Sequence, residues 1–176
     1  MKLLLHVDAT EEGDPQSWRK WTDLLSPDVI GEFGKVFGEE LTLFCPEAER
    51  YGVAEISVSF SSEADMREIN ENFRNMDEAT DVLSFPLWEE DGRFVPAPEV
   101  PELLPLGDIV ICPEEAGRLH EGLSPAGGLC LMLAHGFLHL LAQDHDTPEK
   151  EAAMWEWQDR IRTRLLDVLR TAEGAR

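Results

Sequence analysis

Hydrophobic and polar residues alternate cleanly between Ala54 and Phe60. Ala54, Ile56, Val58 and Phe60 fall on one face, and Glu55, Ser57 and Ser59 on the other. A period of two over that length predicts a β-strand with one buried face. Three further segments read as strands: Met1 to Val7, Thr80 to Leu87, which Pro86 closes, and Leu106 to Cys112. Between them the period lengthens. Trp18, Trp21, Leu24 and Leu25 share one face of a helical stretch from Pro15 to about Glu40, which Ser26-Pro27 breaks and restarts. Ser62, with Asp65 three residues on, marks a helix start that Met66, Ile69 and Phe73 continue to about Arg74. Pro113-Glu114-Glu115 opens another helix to about Glu121, and Ser124-Pro125 caps a strongly apolar one. The last begins at Thr147-Pro148-Glu149, with proline at the first helical position and an acid at the positive end of the dipole. It runs to about Arg170 with Met154, Trp157, Ile161, Leu165 and Val168 inward.

Strands interleaved with helices predict an α/β (α+β) layer. The expected architecture is one domain over residues 1–176, a mixed four-stranded sheet packed by five to six helices, one of them central and apolar. Trp88–Pro105, in an acidic and proline-containing stretch, predicts a surface loop, and 171–176 a frayed tail. No internal repeat is visible.

Composition narrows the function classes. An apolar share of 43% supports a sizeable core. A net charge of −21 and a pI near 4.4 disfavour non-specific adhesion to nucleic acid or acidic membranes. The opening MKLLLHVDAT loses its apolar run at His6 and Asp8, too early for a secretory core region. Gly127 to Ala142 is apolar but shorter than the roughly 20 residues of a membrane span, and it holds two histidines. It reads as a buried helix, with no membrane partner. Cys45, Cys112 and Cys130 are scattered, odd in number and without a CxxC pair. Reduced, buried thiols and a cytoplasmic address follow.

The candidate chemistry sits on that apolar helix, in AHGFLHLLAQDHD. His135 and His139 are one helical turn apart, so their rings share a face. His145 follows after enough chain to fold back. Three imidazoles suit a zinc-like ion and leave a coordination position for water. The same four-and-six spacing occurs in zinc proteases of the HExxHxxGxxH kind, but their base follows the first histidine directly. Here that residue is Gly136, and the motif's turning glycine is Ala142. The ligand pattern survives and the chemistry must differ. Asp144 is a candidate acceptor for a ligand imidazole. His6 and His120 lie outside the cluster and receive no role.

HGFLHLLAQDH (residues 135 to 145), NENFRNMDEATDVLSFP (70 to 86) and LGDIVIC (106 to 112) together resemble the YbeY family of metal-dependent endoribonucleases, across roughly residues 54 to 146. Four positions depart from the family pattern: Ala142 for a glycine, Gln143 for a common aromatic, and Asn75 and Met76 for small and basic residues. An alanine forced into left-handed geometry costs about 1–2 kcal/mol. The resemblance implies cleavage of single-stranded RNA, in ribosomal RNA maturation and ribosome quality control, with ribosomal proteins as further partners. It implies one zinc or similar divalent ion on His135, His139 and His145, with His135 and Arg74 in the catalytic set. A guanidinium's planar fork of donors matches phosphate oxygens. Arg74 and Arg118 are the candidate RNA contacts. Arg160, Arg162 and Arg164 form a later basic cluster, with Glu156 placed one turn before Arg160. Two other classes stay open: a metal hydrolase of peptides or small molecules, and a ribosome-associated binding protein with a structural metal.

Overall fold

The computed structural model describes residues 1–8, 15–96 and 102–174. Its main sheet has four strands, β1 (Lys2–Asp8), β2 (Val53–Phe60), β3 (Val82–Pro86) and β6 (Leu103–Ile111), in the order β1-β2-β6-β3. β1, β2 and β6 run parallel, and β3 closes one edge antiparallel to β6. The expected mixed four-stranded sheet is therefore present. Six α-helices surround it: α1 (Pro15–Thr22), α2 (Pro27–Phe44), α3 (Glu63–Arg74), α4 (Pro113–Leu119), α5 (Pro125–Leu140) and α6 (Pro148–Gly174), with a short 3-10 turn at Pro46–Tyr51.

The alternation of β2 decides which face is covered. Ala54, Ile56, Val58 and Phe60 are buried with Leu3, Leu5, Leu104, Leu106, Ile109 and Ile111 under α2, α5 and α6. Phe37 of α2 and Phe137 of α5 meet there at a centroid separation of 4.8 Å. On the opposite face a smaller cluster, Met66, Leu83 and Cys112, is covered by α3. Caps read from the sequence hold: Ser26, Ser62 and Ser124 accept from the N–H of Val29, Asp65 and Gly127. Cys112 and Cys130 are buried thiols, and burial pushes each up to about 12, so they act as core hydrophobes.

Two expectations change. The stretch Trp88–Pro105 is not simply a loop. Asp91-Gly92, both at positive φ, turn a two-stranded hairpin of β4 (Glu89–Glu90) and β5 (Arg93–Phe94), and β6 already begins at Leu103. Residues 97–101 of that stretch lie outside the described residues. The tail expected from 171 is helical to Gly174, because the inner stripe of α6 continues through Leu169; 175–176 lie outside the described residues.

The basic cluster on α6 is also committed elsewhere. Arg160 and Arg164 pair with the buried Glu40 of α2, which also accepts from Trp157 Nε1 at 2.8 Å, and Arg162 sits 3.8 Å from Asp159. Burial pushes the Glu40 carboxyl up, but donors from Arg160, Trp157 and Arg164 outweigh it and hold the group below its usual range. Glu40→Gln should cost about 3 kcal/mol, the low end for breaking a buried ion pair. Because the folded pKa is depressed, this stability is present at neutral pH. It is lost as pH falls through that depressed value. Urea unfolding at neutral pH and again in acid should show the wild-type advantage shrinking.

Candidate metal centre

α5 owes its burial to its sequence: eleven of its residues are buried, and the face bearing His135 and His139 opens toward a cleft. Ala142 N–H bonds the carbonyl of His139 at 3.0 Å and Gln143 N–H that of Leu138 at 3.0 Å, which ends the helix and turns the chain back. Ala142 makes this turn at φ +55°, the left-handed geometry that glycine usually supplies. His145 then returns to the first two histidines. Ala142→Gly should accordingly stabilise the protein by about 1 kcal/mol. Thermal unfolding of the metal-free protein would read this, and an unchanged or lowered midpoint would contradict it.

The three rings converge. Ring centroids are 4.5 Å apart for His135 and His139, 5.7 Å for His135 and His145, and 5.4 Å for His139 and His145. One nitrogen from each lies within 4.8 Å of the others. The Nε2 atoms of His135 and His139 face each other at 3.0 Å, close to the ~3.3 Å that tetrahedral zinc–imidazole bonds of about 2 Å would require. No further histidine, cysteine or carboxylate joins the group among the described residues. The donor set therefore fits a divalent ion and leaves a coordination position open.

The protonation states agree with that fit. His135 Nδ1 donates to Gln158 Oε1 at 2.8 Å, which leaves its Nε2 lone pair facing the cluster. Burial holds His135 below its ordinary value, and burial with the neighbouring His135 and His145 pushes His139 down to about 4. Both rings are thus neutral at pH 7, as metal ligation demands. Gln158 was missed in the sequence, although it interrupts the inner stripe of α6 one turn after Met154. Gln158→Leu should weaken metal affinity about 10- to 100-fold, the range for loss of a partner that fixes a ligand ring. Titration with zinc against a competing chelator measures this.

The cleft around the histidines has a volume of about 480 Å³ and is lined also by Arg74, Asp81, Ser84, Glu89, Asp144 and Lys150. Arg74 is the last residue of α3, and Asn75 stops the helix there in left-handed geometry, a conformation asparagine tolerates. Arg74 makes no ion pair with the described residues. Arg118 reaches a neighbouring cleft instead, where Glu63 and Glu115 hold it. Asp144 Oδ1 accepts from the backbone N–H of His145 at 2.8 Å, so it shapes the turn rather than a ligand ring. His120, given no role from sequence, bonds Asp81 Oδ2 at 2.8 Å, while Asp81 Oδ1 accepts from Val82 N–H and the Thr80 hydroxyl. Gly136 faces the core: a Cβ there would lie 2.9 Å from Ile109. The protease-type base is therefore excluded by packing as well as by residue type.

The chain matches the family model described as Endoribonuclease YbeY over residues 29–166. The Endoribonuclease YbeY of Staphylococcus saprophyticus is 39% identical over 143 residues, 80% of this chain and 88% of that protein. That of Staphylococcus carnosus is 41% identical over 136 residues, 76% and 87% of the two chains. A solution structure from Thermotoga maritima shares the fold, with a TM-score of 0.53 at 23% identity over 98% of this chain and 95% of its own. The matched stretch runs from within α2 to within α6, enclosing α5, the cleft and the turn to His145, and on that ground the chain belongs to the YbeY family.

Proposed function

We propose that this protein is a zinc-dependent endoribonuclease of single-stranded RNA, acting in the cytoplasm on ribosomal RNA. The observation that carries the reading is the meeting, in one cleft, of three converging imidazoles with one cation, Arg74, that makes no ion pair among the described residues. His135, His139 and His145 would hold the ion. Bound there, it supplies Lewis acidity toward a phosphate oxygen and a water of lowered pKa.

The chain's own residues do the rest. Gln158 fixes the His135 ring. Arg74 presents its fork to the scissile phosphate and balances the charge that grows in the transition state. Asp144, in the same cleft, is the carboxylate proposed to receive a proton. Arg118 is a secondary RNA contact, its charge shared with Glu63 and Glu115. A body of net charge −21 repels bare RNA, which supports recruitment through ribosomal proteins. Among the described residues no helix is long and apolar enough to cross a membrane, and the three cysteines are unpaired.

Stripping metal from the purified protein should abolish RNA cleavage, and zinc should restore it. Arg74→Ala should keep metal stoichiometry and lose turnover. Cleavage that persists after stripping, or a preference for peptides over RNA, would end this reading.

A further inference from the structure

At 69% relative exposure Phe73 is the most open large hydrophobic side chain among the described residues. Its position is nevertheless defined. The ring stands edge to face with Phe85 of β3, with centroids 5.0 Å apart and planes at 69°. β3 is the edge strand of the sheet, and its residues alternate across that edge. Val82, Ser84 and Pro86 line the histidine cleft, whereas Leu83 and Phe85 belong to the cluster beneath α3. Arg74, the next residue after Phe73, reaches the cleft from the α3 side. The converging imidazoles and the Arg74 guanidinium, which makes no ion pair among the described residues, thus share the cleft on one side of β3, and the Phe73 ring stands on the α3 side, left uncovered by the described residues.

A single strand of RNA presents an alternation of anionic phosphate and flat base. Exposed aromatic rings beside cationic side chains bind single strands because every base has a π-face to stack. A base in a duplex has both faces occupied by its neighbours, so the same ring selects for unpaired substrate. We infer that Phe73 is a stacking platform for a nucleobase flanking the phosphate held by Arg74. The inference rests on the endoribonuclease reading and adds to it a cause of single-strand preference. The occupant is a base rather than an apolar protein surface because Phe73 directly precedes Arg74, whose side chain lines the metal cleft, and an apolar partner would offer that cation no counter-charge.

The test uses the zinc-loaded protein and a single-stranded RNA of about twelve nucleotides, intact or with one abasic position moved along it. Phe73→Ala should raise KM about tenfold, leave kcat and metal content nearly unchanged, and Phe73→Trp should restore the wild-type KM. For the wild type, one abasic position near the cut should raise KM to a similar degree. That same substitution should have little further effect on Phe73→Ala. If the wild type cleaves RNA and Phe73→Ala matches it, the stacking role is wrong while the endoribonuclease reading stands. Equal losses for Phe73→Ala on intact and abasic RNA would reduce Phe73 to a support for Phe85 and overturn the inference. If the wild type cleaves no RNA, both readings fall together.

Discussion

His139→Ala should leave the protein folded but without bound metal and without RNA cleavage. The ring supplies one of three nitrogens that converge within 4.8 Å, and two remaining imidazoles cannot define a site alone. Losing several kcal/mol of metal-derived stabilisation corresponds to a rate loss of about 10³-fold or more. Metal analysis and a cleavage assay on the same preparation check both halves. Retained metal-dependent cleavage would remove His139 from the site. Acid stability gives a separate readout on metal-free protein. His139 is pushed from 6.5 to about 4 by burial and by the two neighbouring histidines. Between those values the unfolded chain binds more protons than the folded one, so wild-type stability falls as pH drops from 6.5 toward 4. His139→Ala lacks this group, and its stability should slope less steeply across the same window.

Much of this site was legible because its determinants are local. Helix period alone puts His135 and His139 on one face, and Ser124-Pro125 sets the start of the helix that carries them. Ala142 was legible as a strained turn, and its φ of +55° agrees. Contacts between distant segments were not legible. Arg160 has Glu156 one turn away, yet it pairs with Glu40 across the α2–α6 contact. The Asp81–His120 bond joins the residue before β3 to the residue that caps α4, and it exists only once β6 has placed both. Strand order has the same character, since hydrophobic alternation states that a strand has an inner face but not which strand lies beside it. The β4–β5 hairpin is a different kind of miss. Its Asp91-Gly92 turn is a local signal, outweighed by the acids and prolines around it.

Gly107→Ala should be the most damaging single substitution to the fold, because two constraints meet at that residue. Its φ of +135° lies where side chains are rarely accommodated, and an added Cβ would stand 2.1 Å from the Phe85 carbonyl oxygen and 3.1 Å from Leu140 Cδ2. Neither neighbour can give way cheaply. The Phe85 carbonyl is backbone of β3, which is paired to β6 through Pro86 opposite Gly107 and Phe85 opposite Asp108. Leu140 is fully buried and follows His139 at the end of α5. The methyl group would push the edge strand and the ligand-bearing helix away from β6 together. A loss of about 4 kcal/mol or more is expected, a large part of the stability of a domain this size. Zinc affinity should fall in whatever fraction still folds. Gly117→Ala is the matched control: it lies within α4, has nothing within 4 Å of the added Cβ and carries no positive φ. It should gain about 0.5–1 kcal/mol from helix propensity. Urea unfolding of the two variants side by side tests the argument, and a Gly107→Ala protein as stable as wild type would mean that β3 and α5 are not held against β6 as closely as described.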